Sequence, residues 1–244
     1  MSSSRVLGGL SMAIGVALAP MVSRGPAAAV RQDKLIGLLS LPEVFGAGAC
    51  DKFTPATVPL YAMPDFGPTV ASIRVDQYWT FQDVGGCEGL IVNVHSSGRQ
   101  GIQPLPMMEY TYEAPAAIVL EQRGRWFRVR LTDEDAWLHA SERAEYFSLE
   151  RLLTKGLTYL IEGWDGRLAQ SPGESGEELR GARPDLPVQV FGFRQHDGEL
   201  WVEAAVLSHS ICESNEEPRV SARGWLPAYA RSGEPAIWFY PRGC

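Results

Sequence analysis

Residues 123–139, RGRWFRVRLTDEDAWLH, alternate with period two after a glycine turn. Phe127, Val129 and Leu131 fall on one side of the predicted strand, and Trp126, Arg128 and Arg130 on the other. The pattern returns downstream, starting at DGELWVEAAV (197–206) and ending at GWLPAY (224–229). In each copy a Gly-containing turn leads into a Trp that opens an alternating strand. A second Trp follows beside a leucine: Trp137 with Leu138, then Trp225 with Leu226. Upstream lie matching Leu-x-x-x-Pro turns, Leu60 to Pro64 and Leu168 to Pro172. Two small all-β units in tandem are expected.

The remaining pattern fits that class. Residues 58–75 read as a strand, a Pro-Asp-Phe-Gly turn and a second strand from Thr69 to Val75. DQYWTF (76–81) and GLIVNVH (89–95) are further strands, and SSGRQGIQPLP (96–106) is a polar loop. Tyr110–Tyr112, Ala116–Gln122, Val188–Phe193, Leu200–Leu207 and Ala236–Tyr240 also read as strands, with a Pro- and Gly-rich loop at 171–187. The convincing helix is 148–159: Leu149, Leu152 and Leu153 recur at helical spacing, Ser148 caps and Gly156 ends it. Lys34–Phe45 has some helical potential, stopped by Pro42.

The copies differ in length. The stretch from Pro64 to Trp126 far exceeds that from Pro172 to Trp201, which places an insertion near 76–110 in the first copy. Trp201 to Trp225 exceeds Trp126 to Trp137, which places another near 207–223 in the second.

The N-terminus reads as an export signal: Arg5, an apolar run from Val6 to Pro20, and a small-residue cleavage site at Ala27-Ala28-Ala29. The run is shorter than the roughly 20 residues a membrane span needs. Removal of 1–29 predicts a periplasmic or secreted chain with no transmembrane segment. The formal charge is −7, and loss of Arg5 and Arg24 makes it more negative. Without basic runs, nucleic acid is not an expected partner.

An exported chain meets oxidant, so Cys50, Cys87, Cys212 and Cys244 are expected in disulfides rather than on a metal. Four cysteines allow three connectivities. The simplest scheme staples each insertion to its own flanking extension, Cys50–Cys87 and Cys212–Cys244, each contributing roughly 3–4 kcal/mol. The four histidines are scattered, and no metal set or cofactor is indicated. His95, Ser96 and Ser97 adjoin one another, but no nucleophile elbow accompanies them.

GRWFRVRL…AWLHAS and GELWVEAAV…GWLPAY, with the LYAMPD and LAQSPG turns before them, resemble the bacterial SH3-like (SH3b) repeat. The resemblance covers about 58–140, without the insertion, and about 160–230. Ala136 departs from the glycine usual before the second Trp. The resemblance implies two tandem small β-barrels with insertions, joined by a short helix. The expected organisation is a signal peptide at 1–29, an extension at 30–57, domain one at 58–147, a helical connector at 148–159 and domain two at 160–244.

Trp126 and Trp201, on the outward faces of their strands, are candidate groove walls, with Arg128 and Arg130 beside Trp126 as cation–π partners. In the family the first turn borders the groove, which implicates Tyr61 and Phe66. The expected function is non-catalytic binding of a peptide, a protein or cell-wall material. The alternatives are an envelope enzyme or enzyme inhibitor with its site in the insertions, and a structural subunit docking through Trp238, Phe239 and Tyr240.

Overall fold

Trp126–Arg130 adopts the predicted alternation: Phe127 and Val129 are buried, and Trp126, Arg128 and Arg130 are half-buried on the other face. The computed structural model describes residues 34–45, 57–80, 87–96, 101–181 and 183–243. Strands account for 52% and helices for 6%, so the class is all-β.

The first half contains β1 (Gly37–Leu39), α1 (Pro42–Phe45), β2 (Val58–Tyr61), β3 (Thr69–Thr80), β4 (Cys87–Ser96), β5 (Ile102–Pro104), β6 (Met107–Thr111), β7 (Ala114–Arg123), β8 (Trp126–Arg130), β9 (Asp135–His139) and β10 (Tyr146–Ser148). After α2 (Leu149–Lys155) come β11 (Leu157–Leu160), β12 (Arg167–Leu168), β13 (Glu177–Glu178), β14 (Pro187–His196), β15 (Glu199–Leu207), β16 (Val220–Pro227) and β17 (Ile237–Tyr240).

The first sheet runs β10-β1-β7-β8-β9-β2-β3-β4-β5, with β6 also paired to β7, and curls into a half-barrel. The second runs β17-β11-β14-β15-β16, and β12 pairs with β13 in a small separate ribbon. The run β10-β1-β7-β8-β9 follows the same plan as the second sheet. In each, a first strand lies between the closing strand and a three-stranded meander. The excursions after the first strands also correspond: Tyr61 pairs with Trp137 on β9, and Ala169 bridges Trp225 on β16. Gly224 makes the second approach possible, since a Cβ there would stand 2.7 Å from the Ala169 carbonyl oxygen.

Three expectations are corrected. Lys34–Phe45 is not a helix stopped by Pro42. Gly37–Leu39, within the presumed extension, is a strand between β7 and β10, and Pro42 opens the single turn α1, where its missing N–H costs nothing. The helix spans 149–155 rather than 148–159. Ser148 Oγ accepts from the Arg151 N–H at 3.2 Å, and the chain turns extended at Gly156 into β11. The loop at 96–106 contains the edge strand β5.

β7 carries five consecutive buried residues, Ala116–Leu120, because both its faces are covered. Ala117 and Val119 join Phe127, Val129, Leu138, Leu60 and Ile73 inside the curled sheet. Ala116, Ile118 and Leu120 point the other way, into a core with Leu149, Leu152 and Leu153 of α2 and Val202, Leu226, Ile237 and Phe239 of the second sheet. The helix is therefore embedded between the halves rather than spanning a gap. Burial of each leucine is worth about 1.5–3 kcal/mol. Gln32–Cys244 accordingly clusters as one compact unit.

Candidate functional site

Four rings from three neighbouring strands and a turn meet on the first half. Trp126 opens β8 after the Gly124 turn, and His139 lies opposite it on β9. Tyr61 follows an irregularity at the end of β2 that re-aims its side chain. Phe66 sits in the turn before β3, shaped by a 3.0 Å hydrogen bond from the Gly67 N–H to Asp65 Oδ1. The ring centres of Trp126 lie 5.4 Å from Tyr61, 4.8 Å from Phe66 and 5.1 Å from His139, and Phe66 lies 5.0 Å from His139. Tyr61 is the buried floor, whereas Phe66 is 71% exposed. Arg123 borders the patch over Trp137, 5.0 Å from its ring.

The structure thus brings Tyr61, Phe66 and Trp126 together and adds His139, which spacing alone does not single out. The sequence signal for it is its position two residues after Trp137, on the outward face of β9. The patch offers flat apolar faces with a polar imidazole edge. It suits a ligand that stacks rather than one held by several charges.

Three predicted members stand elsewhere. Arg128 is drawn into ion pairs with Glu121 (3.2 Å) and Asp135 (2.7 Å), with its side chain 13% exposed. These carboxylates flank it on the adjacent strands and offer stronger partners than a ring. Arg130 pairs with Glu234 of the second half at 3.0 Å. Trp201 is only 8% exposed, so it is core rather than a groove wall. The second copy also lacks the companion rings: Ala169 stands where the first has Tyr61, and Pro227 where it has His139. Trp137 is buried and Trp225 is half-buried beneath Arg194.

The second half has instead a cleft of about 560 Å³ lined by Lys34, Trp164, Asp165, Glu199, Tyr229 and Arg231, among others. The Trp164 Nε1 is itself buried and without a hydrogen-bond partner in the protein, as is that of Trp201. Tyr229 donates to the Leu35 carbonyl at 2.8 Å, and burial pushes its hydroxyl up to about 12. Trp164 escaped notice because GWDG carries turn residues and no periodicity.

Cys212 is disulfide-bonded, whereas Cys50, Cys244 and the Cys87 side chain lie outside what is described. Among the described residues no cluster could hold a metal ion, and no helix is long and apolar enough to cross a membrane. The expected signal at 1–29 lies outside the described residues. Comparison with protein-family models, curated proteins and solved structures returns no match.

Proposed function

We propose that this is an exported, non-catalytic binding protein of SH3-like type that takes a peptide, a protein or a cell-wall component on the Tyr61–Phe66–Trp126–His139 patch. The observation that carries the reading is the exposed Phe66 ring standing over a cluster of three others. Hydration of such a face is released when a ligand covers it. The shared strand order of the two halves supports the SH3-like part, and the A-x-A site supports export to the periplasm or medium. No cofactor enters the proposal. The disulfide scheme remains Cys50–Cys87 and Cys212–Cys244; a non-reducing peptide map linking Cys87 to Cys212 would sink it.

The test is binding to purified peptidoglycan and to an array of short peptides, read by co-sedimentation and by tryptophan fluorescence. Phe66→Ala removes an exposed ring and leaves the core alone. It is expected to weaken binding at least about tenfold, because one well-placed aromatic contact is worth 1–2 kcal/mol. Binding unchanged in Phe66→Ala and Trp126→Ala would move the site off the patch. A second location is favoured by the cleft around Trp164, where Lys34, Asp165, Glu199 and Arg231 line one cavity. Loss of binding in Trp164→Phe, with Phe66→Ala silent, would place the ligand in that cleft.

A further inference from the structure

On the outer face of the first sheet, Pro59, Ser72 and His95 lie in one register row across β2, β3 and β4. Alternation sends Ala71, Ile73 and Val75 into the core and leaves Ser72, Arg74 and Asp76 outside. A pocket of about 460 Å³ opens over this row, lined by Thr57, Thr69, Ser72, Arg74, His95 and Ser96, among others.

Its polar groups are already oriented. His95 Nε2 lies 2.7 and 2.8 Å from the two oxygens of Asp76, and Asn93 donates to the same carboxylate at 2.6 Å. An ionised carboxylate only accepts, so the Nε2 proton is committed there and the ring is held in place. Arg74 Nε donates to Ser72 Oγ at 3.1 Å, which steadies the guanidinium at the pocket wall, and its terminal nitrogens make no hydrogen bond among the described residues, although its charge is felt by Asp76. Ser72 is 9% exposed, so the hydroxyl that steadies Arg74 is shielded from water.

We propose that this pocket binds a phosphoryl group, with the terminal Arg74 nitrogens as a two-pronged clamp and the hydroxyls of Thr57 and Thr69 beside it. A guanidinium fork matches two oxygens of such a group, and neighbouring hydroxyls can donate to a further one. Asp76, the acid beside the pocket, is occupied by Asn93 and His95. A convergence of donors in a chain of net charge −7 is a local exception to its electrostatics. Ser72 Oγ bonds Arg74 rather than His95, so the arrangement is not a nucleophile with its base; it binds and does not cleave. The site is separate from the aromatic patch, and its failure would leave that reading intact.

The experiment titrates the full chain with inorganic phosphate and with glycerol 3-phosphate by calorimetry, and sediments it with phosphatidylglycerol vesicles. Saturable binding is expected in at least one arm, and the arm identifies the source as free phosphate, a phosphomonoester or a lipid headgroup. Arg74→Gln is expected to weaken it at least about tenfold, and Arg74→Lys less, since it keeps the charge without the fork. Arg74 is exposed, so circular dichroism and the melting temperature should be unchanged in both variants. Phe66→Ala should bind phosphate as the parent does. No saturable binding in any arm, or equal binding by folded Arg74→Gln, would overturn the assignment.

Discussion

Trp126 and Trp201 hold matching places at the start of matching strands, yet Trp126 is half-exposed and Trp201 is buried. Period two states which side of a strand a residue leaves from, and it cannot state what lies over that side. The first copy stays open because the ring nearest the indole, Phe66, is itself 71% exposed and shields it only in part. Trp201→Ala should therefore cost about 3–5 kcal/mol in denaturant unfolding, the usual range for emptying a core aromatic site. Trp126→Ala should cost under about 2 kcal/mol, from the loss of ring–ring contacts. Equal costs would contradict this division. Arg128 lies on the face that alternation gives it, but its partners are not legible from sequence, because Glu121 and Asp135 become its neighbours only once β7 and β9 flank β8. The hydrogen bond from Arg123, with help from Arg128, holds the Glu121 carboxyl below its usual range. The Asp76 carboxyl is held low chiefly by Asn93. Each is lower in the folded state than in the unfolded one. Their stabilisation is thus complete above the unfolded value, about 4, and is lost as pH falls through the folded value. The melting temperature should drop between about pH 5 and pH 3, and the drop should shrink in Glu121→Gln.

At the scale of elements, strands announced by their patterns were legible: β2, β8, β14, β15 and β17 lie where the sequence places them, whereas Thr69–Val75 and the residues after it, which read as two strands, form the single strand β3. β1 was not, because GLL is too short to show a period and is buried on both faces, Leu38 in one core and Leu39 in the other. Its position depends on a close approach. A Cβ on Gly37 would stand 2.3 Å from the Phe147 carbonyl oxygen, so Gly37→Ala should destabilise by about 1–3 kcal/mol. Two tyrosines secure the segment just before it: Tyr229 donates to the Leu35 carbonyl and Tyr146 to that of Ile36, each at 2.8 Å. Burial raises both hydroxyls, Tyr229 to about 12. A raised folded value means that this stabilisation is intact below the unfolded value, about 10, and is lost as pH climbs through the folded one. Unfolding measured from pH 9 to pH 12 should show an alkaline loss that is smaller in Tyr229→Phe. An unchanged alkaline limb would mean that the Tyr229 hydroxyl does not report on the fold.

The all-β class of the molecule was legible in its alternating stretches, whereas the fusion of its halves was not. Spacing reports that Leu149, Leu152 and Leu153 share a face, and it cannot report that the face meets both halves at once. In the folded chain that face shares a single buried cluster with Ile118 and Leu120 of one sheet and Val188, Ile237 and Phe239 of the other. The salt bridges Arg130–Glu234 and Arg242–Glu109 cross the same seam at 3.0 and 2.7 Å, although exposed pairs of this kind add at most about 1 kcal/mol each. The first half keeps a core of its own inside the curled sheet, but the second half has only the shared one, which ties it to the first. Leu152→Ala should cost about 2–5 kcal/mol and lower the stability of both sheets together. Calorimetry of the oxidised chain should give one transition, with van't Hoff and calorimetric enthalpies equal. A chain ending at residue 148 should fail to fold, because Leu38, Ile118 and Leu120 would lose the surface that covers them. Two resolved transitions, with only the second moved by Leu152→Ala, would instead mean that the halves melt separately and that the leucine face belongs to one of them.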